Sequence, residues 1–137
     1  MVEQESLSDG FRAVSRRMRE AAREALAPWD ITPAQARALG TLLRAGALRL
    51  GDLAEHLRIA PRSATEVVDA LEGRGLVARG PDPDDRRATL VAPTAHGKEV
   101  GTAIRAARAA ESESVFRGLS DVDRAHLARI LRELGSA

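Results

Sequence analysis

From Leu7 onward, apolar side chains recur at Leu7, Phe11, Val14, Met18, Ala22 and Ala25, with Arg16, Arg17, Arg19, Arg23 and Glu24 mostly between them. This spacing predicts a long amphipathic helix. It ends near Ala27-Pro28, because proline disfavours helix in the residue before it. Thr32-Pro33-Ala34-Gln35 reads as a capping box, with Thr at the N-cap, Pro at the first helical position and Gln three residues on. The helix behind it carries Ala36, Leu39, Leu42 and Leu43 and stops near Ala45-Gly46. A short apolar link, Ala47-Leu48-Arg49, suits a small strand.

Leu50, Leu53, Ala54 and Leu57 then repeat at helical spacing, and the same spacing returns at Ala64, Val67, Val68 and Leu71. Arg58-Ile59-Ala60 lies between them, and Pro61 can open the second helix. Two short helices joined by a tight turn, each with one apolar stripe, match helix-turn-helix geometry. Gly75 is a C-cap glycine. Leu76 to Thr94 reads as strand, charged tip, strand: Val77, Leu90 and Val91 are strand formers, and Pro81, Asp82, Pro83, Asp84 and Asp85 mark a turn-rich loop. Arg86 and Arg87 follow at the tip, placed to probe a narrow electronegative groove. The hairpin is thus the wing of a winged helix-turn-helix.

Thr94 caps a further helix with apolar positions at Val100, Ile104, Ala107 and, more loosely, Val115 and Phe116, expected to end at Gly118. Ser120-Asp121-Val122-Asp123 caps the last helix, which carries Val122, Leu127, Ile130, Leu131 and Leu134. The predicted fold is mainly α with a small β-hairpin. A winged helix-turn-helix over residues 30–93 is flanked by N- and C-terminal dimerisation helices over 1–29 and 94–137. Both terminal helices carry apolar stripes with little else to bury against, and a symmetric dimer is the commonest solution.

Composition narrows the function. The 137 residues are 44% apolar but only 2% aromatic (Phe11, Trp29 and Phe116), so the core must be built from Leu, Val, Ile and Ala. Net charge is +1, and residues 48–93 hold seven Arg against eight Asp and Glu. Any DNA binding must therefore come from where charge is placed. With no cysteine, disulfides, thiolate metal sites and thiol redox sensing are excluded. The opening MVEQESLSDG lacks the basic and apolar regions of a signal peptide. No window approaches the apolar run of a membrane span, so a cytoplasmic protein is expected. His56, His96 and His126 fall on three different predicted helices without metal-ligand spacing. Asp82, Asp84 and Asp85 lack the glycine and distal glutamate of a calcium loop, and Asp82 and Asp84 read as turn formers. No nucleophile elbow or phosphate loop is legible. The reading is no enzyme, no metal and no cofactor.

The segments ITPAQARALGTL, LGDLAEHLRIAPRSATEVVDALEGRGLV and PDPDDRRATLVAPTAHGKEV, with the two flanking helices, resemble the MarR family of bacterial transcriptional regulators. The specific part is the wing, where DPDDRR followed by TLV and Thr94 is similar to the family's DxR signature. The resemblance implies a homodimer on palindromic double-stranded DNA, with recognition helices in successive major grooves and wings in the flanking minor grooves. Asp85 falls on the family's wing aspartate, with the implied role of holding the arginine or the wing backbone. Arg87 falls on its minor-groove arginine, and Arg86 meets phosphate. In the recognition helix, Arg62, Ser63, Thr65, Glu66 and Asp69 lie off the apolar stripe and are the candidates for base and phosphate contact. Glu66 departs from the basic or neutral residue common there. It could accept from a cytosine amino group, pair with Arg62 one turn back, or repel phosphate. Phe11, Met18 and Trp29 fall near the family's usual effector cleft and suggest a small aromatic ligand; the plainer reading packs them at the junction of the first two helices. The expected function is a dimeric, sequence-specific DNA-binding transcriptional regulator, a repressor on a palindromic operator that a small ligand could release. The alternative is a winged-helix protein-interaction module that does not touch DNA.

Overall fold

The computed structural model describes residues 6–136. Residues 1–5 and 137, at the outer edges of the expected helical region, lie outside the described residues. The chain runs α1 (Leu7–Leu26), a single 3-10 turn (Ala27–Trp29), α2 (Pro33–Ala45), β1 (Leu48–Arg49), α3 (Leu50–Leu57), α4 (Pro61–Gly73), β2 (Val77–Asp82), β3 (Asp85–Pro93), α5 (Ala95–Val115) and α6 (Asp121–Gly135).

Local signals set the helix starts. The Ser6 hydroxyl accepts from the Asp9 N–H at 3.1 Å, and Ser120 from Asp123 at 3.1 Å. Thr32 and Gln35 form the full capping box, at 3.1 and 3.3 Å; such a cap contributes about 1 kcal/mol. Thr94 does more than cap. Its Oγ1 accepts from Gly97 N–H at 3.0 Å and donates to the Gly75 carbonyl at 2.6 Å, tying the corner after α4 to the start of α5. Gly75 takes φ 72°, as a residue closing a helix in the left-handed region should. The turn between α3 and α4 uses no glycine: Arg58 occupies the left-handed region at φ 54°, and Ile59 N–H closes on the Ala54 carbonyl.

The three strands form an antiparallel sheet in the order β1-β3-β2. Val91 of β3 sits opposite Leu48 of β1 and Arg79 of β2. The core is aliphatic, as the composition required: Leu39, Leu42, Leu53, Val68, Leu71, Val77 and Val91 are fully buried. They bring α2, α3, α4 and the sheet onto one centre, with Trp29, Leu48, Leu50 and Val67 packed against it.

Two boundaries differ from the sequence reading. The strands extend further into the Pro-Asp segment than a loop would: β2 runs through Pro81 and Asp82, and β3 starts at Asp85, leaving Pro83-Asp84 as the turn. Proline is tolerated because β2 is an edge strand. Arg86 and Arg87 consequently lie on β3 just past the tip. Helix α5 ends at Val115, and Gly118 falls in the following turn.

The terminal helices are only half satisfied. Helix α1 packs on α5 and buries Ala21, Ala25 and Leu26. Leu7, Phe11, Val14 and Met18 stay exposed on it, as do Val122, Ile130, Leu131 and Leu134 on α6.

Glycine makes one contact that nothing larger could. A Cβ on Gly97 would collide with the Leu76 backbone carbonyl, where α5 crosses the start of the sheet. Gly97→Ala is expected to destabilise the fold by about 3 kcal/mol or more, because backbone must move. Gly51, in α3 with open space around its Cα, should behave oppositely, with Gly51→Ala stabilising by up to about 1 kcal/mol. Urea unfolding of the two variants beside the parent checks both signs.

Candidate nucleic-acid interface

Helix α4 begins at Pro61, whose missing N–H is harmless at a helix start. Ala64, Val68 and Leu71 are buried, which turns the opposite face outward. Arg62, Ser63, Glu66 and Asp69 are exposed there, and Thr65 is half-buried. The Thr65 hydroxyl donates to the Pro61 carbonyl at 3.0 Å, so it is engaged within its own helix. Neither Arg62 nor Glu66 joins an ion pair among the described residues. Asp69 is differently placed. Arg79 of β2 reaches it at 2.6 Å and Glu72 at 2.8 Å. The Arg79 guanidinium is held more firmly protonated, chiefly by the hydrogen bond it donates to Asp69. This pair bolts the far end of α4 to the sheet.

The wing is organised by two carboxylates. Asp85 Oδ1 accepts from the Arg87 backbone N–H at 3.0 Å, so it fixes the backbone of the arginine rather than its side chain. Arg86 and Arg87 are both exposed, and as successive strand residues they face opposite sides of β3. Asp82 does form the turn, its Oδ1 accepting from Asp84 N–H at 2.9 Å. It also has a partner that sequence reading missed. Arg49, at the end of β1, places Nε and Nη2 each 2.7 Å from Asp82 Oδ2. Asp82 is only 7% exposed, and the guanidinium fork closes on one of its two oxygens. Its carboxyl is held below the usual carboxylate range, first by the Asp84 N–H and then by Arg49.

The sequence profile of the MarR family matches residues 31–89, the span from the start of α2 into the wing. Over that span the chain is similar to the MarR family. The uncharacterized HTH-type transcriptional regulator YhbI of Bacillus subtilis (strain 168) is 33% identical over 96 residues, covering 70% of this chain and 62% of that protein. The match thus spans less than two thirds of that relative's length. The HTH-type transcriptional repressor MdtR, also of Bacillus subtilis (strain 168), is 28% identical over 83% of this chain and 74% of its own. A crystal structure of a mutant MarR from E. coli complexed with operator DNA superposes with a TM-score of 0.73 at 25% identity, over 93% of this chain and 92% of that one.

The chain does not gather Phe11, Met18 and Trp29 into one pocket. Phe11 is 63% exposed and Met18 37% exposed, both on α1. Trp29 is packed against the core and lines a small cleft with Arg74, Leu76 and His96. Arg74 donates to the Trp29 and Asp30 carbonyls there. The larger cleft, about 410 Å³, opens between α2 and α5. Leu39, Leu43 and Ile104 form its apolar floor, and Arg44, Arg105 and Arg108 surround it.

The Asp82 environment has a pH signature. Its folded-state proton affinity is lowered, so its contribution to stability is complete above the ordinary carboxylate range, about pH 4. That contribution is lost as the pH falls through the depressed folded value. Asp82→Asn should therefore be less stable than the parent at neutral pH, and the gap should close in acid. Urea midpoints at about pH 7 and below about pH 3 measure it. A gap that widens in acid would show that the carboxylate is not held in its charged form.

Proposed function

We propose that this chain is a DNA-binding transcriptional regulator of the MarR family, acting as a cytoplasmic homodimer on an inverted repeat and working as a repressor. The observation that carries the reading is the pairing of an outward-facing start of α4, with Arg62, Ser63 and Glu66 exposed, with a structured wing that displays Arg86 and Arg87. The operator-DNA complex of the similar E. coli protein supports the docking mode, and similarity to the transcriptional repressor MdtR supports repression. The exposed apolar faces of α1 and α6 support the dimer, since soluble monomers rarely leave such stripes uncovered. Asp69 enters this reading as a support for α4 rather than a base reader, because Arg79 already holds it. Arg62 and Glu66 remain the base-reading candidates and Arg87 the minor-groove one. Among the described residues, no helix is long and apolar enough to cross a membrane.

The test is selection of bound DNA from a random pool, followed by titration. An inverted repeat and a sedimenting species of twice the chain mass are expected; a monomer that enriches no sequence would favour the protein-interaction module instead. Arg87→Ala removes one minor-groove cation from each half of the dimer. Binding should weaken broadly, preference for A·T-rich flanks should flatten, and the slope of log K against log salt should fall by roughly 2. Unchanged affinity and slope would remove the wing from the interface.

The ligand we infer is a small amphipathic acid in the cleft between α2 and α5, where arginines surround an aliphatic floor. Charge-assisted hydrogen bonds from guanidinium to carboxylate are the strong ones. A simple aromatic carboxylate should release the DNA at millimolar concentration or below, and Arg105→Gln with Arg108→Gln should shift that response at least several-fold, read by fluorescence anisotropy of labelled operator. Equal response in parent and variant would place the ligand elsewhere.

A further inference from the structure

We propose that Arg49 and Asp82 are positioning residues for DNA binding: neither reads DNA, and their ion pair holds the wing at the reach from which Arg87 engages it. The inference rests on the reading of the chain as a DNA-binding regulator.

The outer wing has little else to hold it. Strand β1 ends at Arg49, opposite Leu90, so beyond that point the sheet has only two strands. A two-stranded hairpin is marginal by itself in water. The backbone ladder is also weakest here. Pro81 and Pro83 have no N–H to donate, and the register slips between Pro81 and Asp82. At this slip the side chains take over. The sheet order is β1-β3-β2, so the Arg49 guanidinium spans the central strand to grip Asp82 on the far one, at 2.7 Å through both Nε and Nη2. The other Asp82 oxygen sets the turn through Asp84 N–H, and the next carboxylate, Asp85, fixes the Arg87 backbone. Arg49 immediately precedes Leu50, the first residue of α3. One side chain therefore locks the wing tip, next to the stretch of β3 that carries Arg87, to the beginning of the helix-turn-helix.

The sign of the effect separates positioning from simple electrostatics. Removing an acidic charge from a DNA-binding face ordinarily tightens binding, because one repulsion of phosphate is lost. If Asp82 holds the wing, Asp82→Asn should instead weaken operator binding about fivefold to tenfold. Arg49→Gln should weaken it similarly. The losses should overlap with that of Arg87→Ala: in either background, Arg87→Ala should cost much less than in the parent. Affinities are measured on full-length dimer by anisotropy at two salt concentrations, with the thermal midpoint of each variant showing that it is folded at the assay temperature. Arg49→Lys, which keeps the charge but loses the fork, should recover only part of the affinity.

Tighter or unchanged binding by folded Asp82→Asn overturns the proposal. So does an Arg49→Gln loss that adds fully to Arg87→Ala and lowers the salt slope, which would make Arg49 a phosphate contact. If Asp82→Asn does not fold, Arg49→Gln, whose side chain is half exposed, carries the same cycle. A parent protein that enriches no DNA sinks the regulator reading itself, an outcome distinct from a parent that binds and an Asp82→Asn that binds better.

Discussion

Val91 is fully buried on the central strand, with Leu48 on one side and Arg79 on the other. Burying a valine contributes about 1.5–3 kcal/mol, and here it roots a strand whose outer end carries Asp85, Arg86 and Arg87. The same core holds Leu53 of α3 with Val68 and Leu71 of α4. Helix α4 and the wing are thus two projections from one aliphatic centre. Neither can be repositioned without disturbing residues that have no exposed surface to give up. With so few rings available, close packing of short side chains does the work that aromatics do in other small domains.

Charge is sorted on top of that core. The region from β1 to β3 is nearly neutral by count, with seven Arg and eight acids, but the acids are not equivalent. Asp69 and Glu72 are engaged by Arg79, and Asp82 by Arg49. These pairs face each other across the fold's own seams and largely cancel at a distance. Arg62, Arg86 and Arg87 stay exposed. Arginine has been divided between holding the fold and displaying charge, and net charge conceals the division. An exposed ion pair by itself contributes little. The Arg49–Asp82 pair matters through geometry, because its acidic partner is out of water and its remaining oxygen shapes the turn.

The helices were legible because their signals are local. Thr32 with Gln35, Pro61, Thr94 and Ser120 each announce a helix within four residues of its start, and each stands where expected. The wing strands were shorter in the sequence reading than in the fold, since prolines and aspartates imitate a loop; only the edge position of β2 makes them acceptable in a strand. Arg49 and Asp82 are 33 residues apart, and no periodicity joins them. The pairing of Asp69 with Arg79 was hidden for the same reason, so Asp69 looked like any other polar residue on the open face of α4. Arg58 adopts a conformation for which glycine is the usual signal. Phe11 and Trp29 stand out in the sequence for their rings and Met18 as a flexible apolar side chain, whereas the cleft between α2 and α5 is lined by aliphatic and guanidinium groups from helices far apart in the chain, which no local pattern joins.

That cleft is mechanically close to the wing. Helix α5 begins at Thr94, directly after β3, and the Thr94 hydroxyl binds both the Gly75 carbonyl and the Gly97 N–H. Gly97 in turn lies against the Leu76 carbonyl with no room for a methyl group. The first turn of α5 is therefore fastened to both strands of the wing at their roots. One turn further on, Gly101 lets Leu43 of α2 come close beside the cleft. Helix α1 packs along the same α5 while leaving its own apolar face open. A group wedged between α2 and α5 would push on a helix that has little freedom to yield at its wing end and carries α1 with it. Packed interiors respond to such a push by shifting elements as rigid bodies rather than by compressing. If the proposed dimer joins through the open faces of α1 and α6, the spacing of its two wings would then change with cleft occupancy, without any rearrangement inside the helix-turn-helix.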